Sequence, residues 1–266
     1  MRQVPILAAV TEARLFRLCA VDPERYEWLP ARTWPDAVEV IRTHAVDLAV
    51  VDPLLGQAPR SVEIARLHQH FPSLPLVIYT ALAPDTAGVL LDLGRVGIRR
   101  VLFERFDDAP AAIRRMLRAE LDQSASQLLI QQLALALPGL PEPVRPALEA
   151  ALRSPADCLT VSALARRAQI TRRTCERSFA RAGLPSPKVV MLLARVLYAH
   201  RLLLDPGYTI EDVALKLGYA TPRTLQAHFR DVFGLTAGDL RMSVSPEEAL
   251  ELVVRRYVGR ERAAAS

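Results

Sequence analysis

The first 120 residues alternate between two hydrophobic rhythms. Short, continuous apolar runs occur at Pro5 to Val10, more weakly at Tyr26 to Ala31, and again at Asp47 to Val51 and Leu76 to Tyr79. The last two are rich in β-branched residues, as strands buried on both faces of a parallel sheet should be. Ile98 to Phe103 reads as a fifth strand, interrupted by Arg99 and Arg100. Between these runs, apolar positions recur at helical spacing over Trp34–His44, Ser61–His70, Thr86–Leu93 and Asp108–Leu121, with Ala37, Val38, Val40 and Ile41 forming one such stripe. The alternation predicts a flavodoxin-like, doubly wound parallel sheet over residues 1–121, with helices on both faces.

From 122 to 142 the pattern turns helical, then breaks at Pro138, Pro141 and Pro143. Leu117, Leu121 and Leu128 fall on one stripe of a long helix extending the preceding one, but Ser124 and Gln131 interrupt the heptad. Two readings stay open for this linker: a dimerising coiled coil, or a helix packed on its own domain. Beyond 143 the pattern is one of short helices with no strand signal. An all-helical domain is expected over 143–242, followed by a helical tail over 243–266 in which Ser245 to Tyr257 is amphipathic. A length of 266 residues accommodates two such domains.

Composition narrows the class. The chain is 51% hydrophobic and 24% charged, which excludes a wholly disordered protein. No apolar stretch approaches the ~20 residues of a membrane span. The run Val4 to Val10 is ended by Glu12 and Arg14, too early for a signal peptide, so a cytoplasmic protein without membrane attachment is expected. Cys19, Cys158 and Cys175 are scattered and odd in number, matching neither a disulfide framework nor a zinc knuckle.

Charge adds a direction. The net charge is +5, and Lys188 and Lys216 are the only lysines among 34 basic residues. Residues 1–120 are neutral overall, 121–157 carry −2, 158–241 carry +7 and the remainder is neutral. All the excess positive charge therefore lies in one block, which points to a polyanionic partner such as nucleic acid.

That block contains an internal duplication. The segment from Leu164 to Phe179 resembles the segment from Val213 to Phe229: a short helix with a buried alanine, a turn, a threonine N-cap, and a second helix ending in a packed phenylalanine. Thr171 and Thr221 are placed to cap the second helices, and Pro222 suits a first helical position. Gly218 supplies a left-handed turn residue where the first copy has Gln169. Each copy matches a helix-turn-helix, and a long helix over about 187–204, carrying Arg195 and His200, joins them.

Residues 143–241 resemble the AraC/XylS-type DNA-binding domain of bacterial transcription regulators. The resemblance is carried by Thr209 to Thr236, with its alanine, its glycine–aromatic pair, its helix-ending phenylalanine and its Phe-Gly turn, and by Leu240-Arg241. Ala237 departs from the usual proline and Leu240 from the usual aromatic, and the first copy is one residue short between Phe179 and Gly183. The resemblance implies a seven-helix domain presenting two recognition helices to successive major-groove segments of double-stranded DNA. Carried over position by position, the outward residues are Arg172, Arg173, Glu176 and Arg177 in the first copy, and Arg223, Thr224, Gln226 and Ala227 in the second. Arginine suits guanine, glutamine adenine and glutamate cytosine. Arg230 and Arg181 suit phosphates, which position without specifying. Cys175 and Phe179 are expected in the core.

The N-terminal pattern resembles a response-regulator receiver. Asp47 to Asp52 matches the strand ending in the phosphoacceptor aspartate, and Tyr79-Thr80-Ala81 the strand carrying the switch hydroxyl. The acidic pair that such a site uses to hold Mg²⁺ reads Val10-Thr11-Glu12 here, and Glu104 stands in the lysine's place. Asp52 and Thr80 then mark a degenerate phosphoacceptor site with no metal and no cofactor, both residues serving as satisfied polar groups at strand ends.

Catalysis finds no motif. The chain has neither G-x-G-x-x-G nor G-x-x-x-x-G-K, and His68 and His70 project about 200° apart on a helix. The expectation is a non-enzymatic, sequence-specific transcription regulator, homodimeric, with RNA polymerase as a further candidate partner. The alternatives are a regulator switched by phosphorylation of Asp52, and a protein-interaction adaptor with weak DNA binding.

Overall fold

The computed structural model describes residues 3–56, 58–137, 139–153, 155 and 160–258, so Pro138 and Cys158 lie outside the described residues. The chain divides into two units: Met1–Ala125 with Asp205–Gly207, and Ser126–Leu204 with Tyr208–Ser266.

The first unit is a five-stranded sheet of β1 (Val4–Ala9), β2 (Tyr26–Pro30), β3 (Leu48–Val51), β4 (Leu76–Thr80) and β5 (Val101–Phe103). The order is β2-β1-β3-β4-β5 and every pairing is parallel. This is the flavodoxin-like order, whose topological switch point lies between β1 and β3. The helices are α1 (Glu12–Cys19), α2 (Trp34–Thr43), α3 (Ser61–His70), α4 (Pro84–Arg95) and α5 (Pro110–Leu121). Strand residues two apart share a face. Ile6 and Ala8, Leu48 and Val50, and Val77 and Tyr79 accordingly pack in one core with Leu18 of α1 and Ile113 and Leu117 of α5.

Three details differ from the sequence pattern. Helix α1 is absent from it, because Arg14 and Arg17 break up the stripe formed by Leu15 and Leu18. The fifth strand shrinks to three residues, with Arg99 and Arg100 exposed before it. Finally, α5 does not run on. It ends at Leu121, a turn follows, and α6 (Ala125–Ala136) starts afresh, burying Leu129 and Ile130 rather than continuing the Leu128 stripe.

Among the described residues the second unit is entirely helical. Besides α6 it contains α7 (Arg145–Arg153), α8 (Val161–Arg167), α9 (Arg172–Arg181), α10 (Pro187–Leu203), α11 (Ile210–Lys216), α12 (Pro222–Phe233), α13 (Ala237–Ser243) and α14 (Pro246–Val253). Its axis is α10, in which all but Lys188, Val189, Leu192, Arg195 and Arg201 are buried. α10 packs against α8 and α9 on the one hand and α11 and α12 on the other. The tail completes this core: Ser245 caps α14, Ala249 and Val253 are buried, and Arg256 on the following π-helical turn donates to the Val232 carbonyl at 2.9 Å.

Candidate strand-end site and nucleic-acid interface

Two places bring polar chemistry together, one in each unit. In the first unit it gathers at the carboxyl ends of β3, β4 and β5, where open α/β sheets place their ligands. Asp52 follows β3 directly, and its backbone N–H donates to the Ala9 carbonyl of β1 at 2.8 Å, fixing it at the switch point. Its side chain is buried. Oδ1 accepts the Leu54 N–H at 2.9 Å, and Oδ2 accepts Nη1 of Arg14. The same guanidinium reaches Glu104 Oε2 through Nε at 3.2 Å and Nη2 at 3.0 Å, and lies 5.5 Å from the centre of the Tyr79 ring.

Arg17, one turn along α1, extends the network. Its Nη1 bonds Glu104 Oε1 at 2.6 Å and Asp108 Oδ2 at 3.0 Å, and the Tyr79 hydroxyl donates to that same Asp108 oxygen at 3.1 Å. Burial pushes the Asp52 carboxyl up from its ordinary value, opposed by the Leu54 amide and Arg14. Burial acts the same way on Glu104, but there the Arg17 and Arg14 hydrogen bonds outweigh it and the carboxyl is held low. Asp108 is held low against burial by the Arg105 amide, Tyr79 and Arg17.

The donor set does not fit a divalent cation. Such an ion takes six or more oxygens, whereas these carboxylates are occupied by guanidinium groups, and no three His, Cys, Asp or Glu among the described residues form a possible metal site. Glu12, the one carboxylate left near the end of β1, is exposed and 3.4 Å from Arg32. Thr80 is buried at the end of β4, but its hydroxyl makes no hydrogen bond. This differs from the satisfied strand-end hydroxyl expected from sequence, and the acceptors of the cluster are held by Arg14, Arg17 and Leu54 instead.

Sequence reasoning named Asp52, Thr80 and Glu104 here but missed Arg14, Arg17 and Asp108. The available signal was the i, i+3 pair of arginines directly after the first strand, which places both heads on one side of a helix.

In the second unit the two duplicated segments fold alike. Thr171 and Thr221 cap α9 and α12, accepting the N–H groups of Thr174 at 3.1 Å and Thr224 at 3.3 Å. The turn before α9 is left-handed at Gln169 (φ 55°), and the turn before α12 at Gly218 (φ 68°). Glycine takes that conformation freely and glutamine under strain. Cys175 and Phe179 anchor α9 in the core, and Leu225 and Phe229 anchor α12; all four are fully buried. The second turn is pinned further by Arg195 of α10, which donates to the Leu217 carbonyl at 2.7 Å and lies 4.2 Å over the Tyr219 ring.

Residues 164–243 match the family model of a helix-turn-helix domain. The match spans both copies. No curated protein matches the chain. Among solved structures, a CheY-like response regulator receiver domain from Methanospirillum hungatei JF-1 is 16% identical, covering 46% of this chain and 96% of its own, with a TM-score of 0.40. A signal receiver domain of an HD domain-containing protein from Pseudomonas fluorescens Pf-5 is 27% identical, covering 45% and 98%, with a TM-score of 0.38. Full-length FixJ from B. japonicum is 16% identical, covering 82% and 98%, with a TM-score of 0.35. The receiver-like fold of the first unit rests on its strand order.

Within the helix-turn-helix domain, Arg172, Arg173, Glu176 and Arg177 are exposed on α9. Arg172 and Glu176 are not free of each other: Nε of Arg172 bonds Oε1 of Glu176 at 2.8 Å across one turn. On α12, Arg223, Thr224, Ala227 and Arg230 are exposed and Gln226 is half-buried. Each helix therefore turns one face to the core and leaves an arginine-bearing face open. No helix among the described residues is long and apolar enough to cross a membrane.

Proposed function

We propose that this chain is a sequence-specific DNA-binding transcription regulator whose helices α9 and α12 enter successive major-groove segments, with a receiver-like N-terminal unit that works without phosphorylation. The observation that carries the reading is the duplicated capped helix with a buried anchor face and an open arginine face, inside the block that holds all the excess positive charge. Arg173, Arg177 and Arg223 read guanine, Gln226 reads adenine, and Arg181 and Arg230 hold phosphates. Glu176 must release Arg172 before either reads a base. Ala227 offers only a methyl contact to thymine.

Arg14 supports the second half of the reading. It supplies from within the protein the positive charge that a phosphoryl site would take from a metal ion, so Asp52 is neutralised permanently. Dimerisation through the N-terminal unit is part of the proposal, supported by the exposed apolar side chains Phe16, Leu82, Leu91 and Phe106. RNA polymerase contact and a cytoplasmic location follow from the role.

Selection of bound sequences from a random DNA pool, followed by titration of the selected site at several salt concentrations, tests the reading. A steep fall in affinity with salt and a reproducible site are expected. Failure to enrich any sequence would refute it.

A further inference from the structure

The second helix-turn-helix copy holds a contact that its cap, turn and anchors do not require. Arg195 of α10, Tyr219 of the turn and His228 of α12 follow one another in series. The Arg195 guanidinium lies 4.2 Å from the centre of the Tyr219 ring. The Tyr219 and His228 rings meet edge to face at 64°, with centroids 5.5 Å apart. The Tyr219 hydroxyl is 3.3 Å from His228 Nδ1. Burial pushes the Tyr219 phenol up, so it keeps its proton. Burial and Arg195 hold His228 below its ordinary value against the pull of Asp231, so the ring is neutral near pH 7. A neutral imidazole has an acceptor nitrogen, and the phenol can donate to it.

The first copy has no such tie. Ile170 and Tyr219 occupy the same place, each donating its backbone N–H to an alanine five residues earlier, Ala165 at 3.0 Å and Ala214 at 2.8 Å. Ser178 and His228 likewise each precede the anchoring phenylalanine of their helix. Isoleucine offers no hydroxyl, and the Ser178 hydroxyl donates back to the Thr174 carbonyl of its own helix at 2.8 Å. Both copies share the threonine cap, so the Tyr219–His228 bond is an addition to α12.

That addition bears on how bases are read. α12 is anchored by Leu225, Phe229 and Val232, all buried and apolar. Apolar burial is non-directional and leaves a helix some freedom to roll about its axis, whereas a hydrogen bond has a fixed direction. Tyr219 is itself held by Arg195, which also donates to the Leu217 carbonyl at 2.7 Å. The bond from Tyr219 therefore refers the roll of α12 to the central helix α10. Bidentate contacts to a base edge depend on that roll, while phosphate contacts tolerate its loss.

We infer, on the DNA-binding reading proposed above, that His228 is a positioning residue for base reading by α12. Through Tyr219 it fixes the roll of the helix that carries Arg223 and Gln226. α9 lacks a counterpart, so the sharper discrimination falls in the half-site under α12.

Affinities of the full chain for its selected site and for scrambled DNA of the same length, measured at pH 7, test it. Tyr219→Phe keeps the ring and its contact with Arg195 and removes only the hydroxyl. Its affinity for the selected site falls about three- to tenfold, while that for scrambled DNA stays within about twofold. His228→Ala falls by a similar factor, and the double variant falls no further than the weaker single one, because both lose the same bond. His228→Asn, which returns an acceptor oxygen near the Nδ1 position, binds the selected site more tightly than His228→Ala. Equal losses on both DNAs overturn the inference, as do additive losses in the double variant or an asparagine variant no better than the alanine one. A Tyr219→Phe protein that keeps the parent's preference overturns this inference alone. A parent without any preference overturns the DNA-reading proposal and this inference with it.

Discussion

The N-terminal unit buries Arg14 between two carboxylates, while the C-terminal unit leaves Arg173, Arg177, Arg223 and Arg230 on the open faces of two helices. The side chain is the same and its surroundings are opposite. Arg14 is 9% exposed, and its charge is consumed inside the fold. The arginines on the open faces of α9 and α12 keep their charge available, and the acidic residue that competes for one of them, Glu176, does so across a half-exposed pair. A screened pair of that kind is worth little and separates readily. Arginine content alone therefore says nothing about function; what an arginine faces does.

The comparison breaks most sharply at Arg14. Arg14→Ala leaves Asp52 and Glu104 without their shared cation, and removing one partner of a buried pair costs about 3–5 kcal/mol. Urea unfolding followed by tryptophan fluorescence should show that loss, because Trp28 and Trp34, the only tryptophans, both lie in the N-terminal unit. Arg223→Ala should do the reverse. Its effect on stability stays within about 0.5 kcal/mol, while affinity for the selected site falls by about 1–3 kcal/mol and specificity relaxes at one base pair. An Arg223→Ala protein that bound as well as the parent would remove α12 from the interface.

The two copies of the helix-turn-helix differ in a smaller way. Gln169 holds a left-handed turn that Gly218 holds without strain. Gln169→Gly recovers about 1–2 kcal/mol of strain and gives back about 0.5–1 in chain entropy, a net gain of about 0.5–1 kcal/mol. A raised melting temperature for this variant checks it, and a lowered one would contradict the account of the first turn.

The duplication was legible because it writes the same caps, turn and anchors twice, and Thr171, Thr221, Gly218, Cys175 and Phe179 stand where the pattern predicts. The strands were legible from buried runs such as Leu76 to Tyr79. Helix α1 was not. Its inward face carries Arg14, a residue that periodicity counts as polar and outward, and only the packing of Asp52 and Glu104 around it turns it inward. Tertiary neutralisation of a charge has no local signature, so the residues that close the strand-end site were the ones that sequence reasoning missed.

The smallest effect is in pH. Burial holds His200 and His228 below their ordinary value in the C-terminal unit. A histidine depressed by folding gives its full stability above about 6.5, the unfolded value, and loses it as pH falls through the folded one. Glu104 and Asp108, also depressed, lose theirs only as pH falls through the carboxylate range. Asp52 is raised, so its contribution runs the other way and grows as pH falls through its folded value. On acidification from pH 7, helical circular dichroism, which includes the C-terminal unit, should therefore decline before tryptophan fluorescence changes. Coincident transitions, or fluorescence changing first, would contradict the assignment.

As proposed, Arg14 takes over the charge-neutralising role at Asp52 and closes the site to phosphoryl chemistry. Intact-mass measurement after incubation with Mg²⁺ and acetyl phosphate addresses it most directly. An unmodified chain is expected under conditions that phosphorylate a functional receiver domain run alongside. A stable phosphoryl adduct that disappears in Asp52→Asn would contradict it.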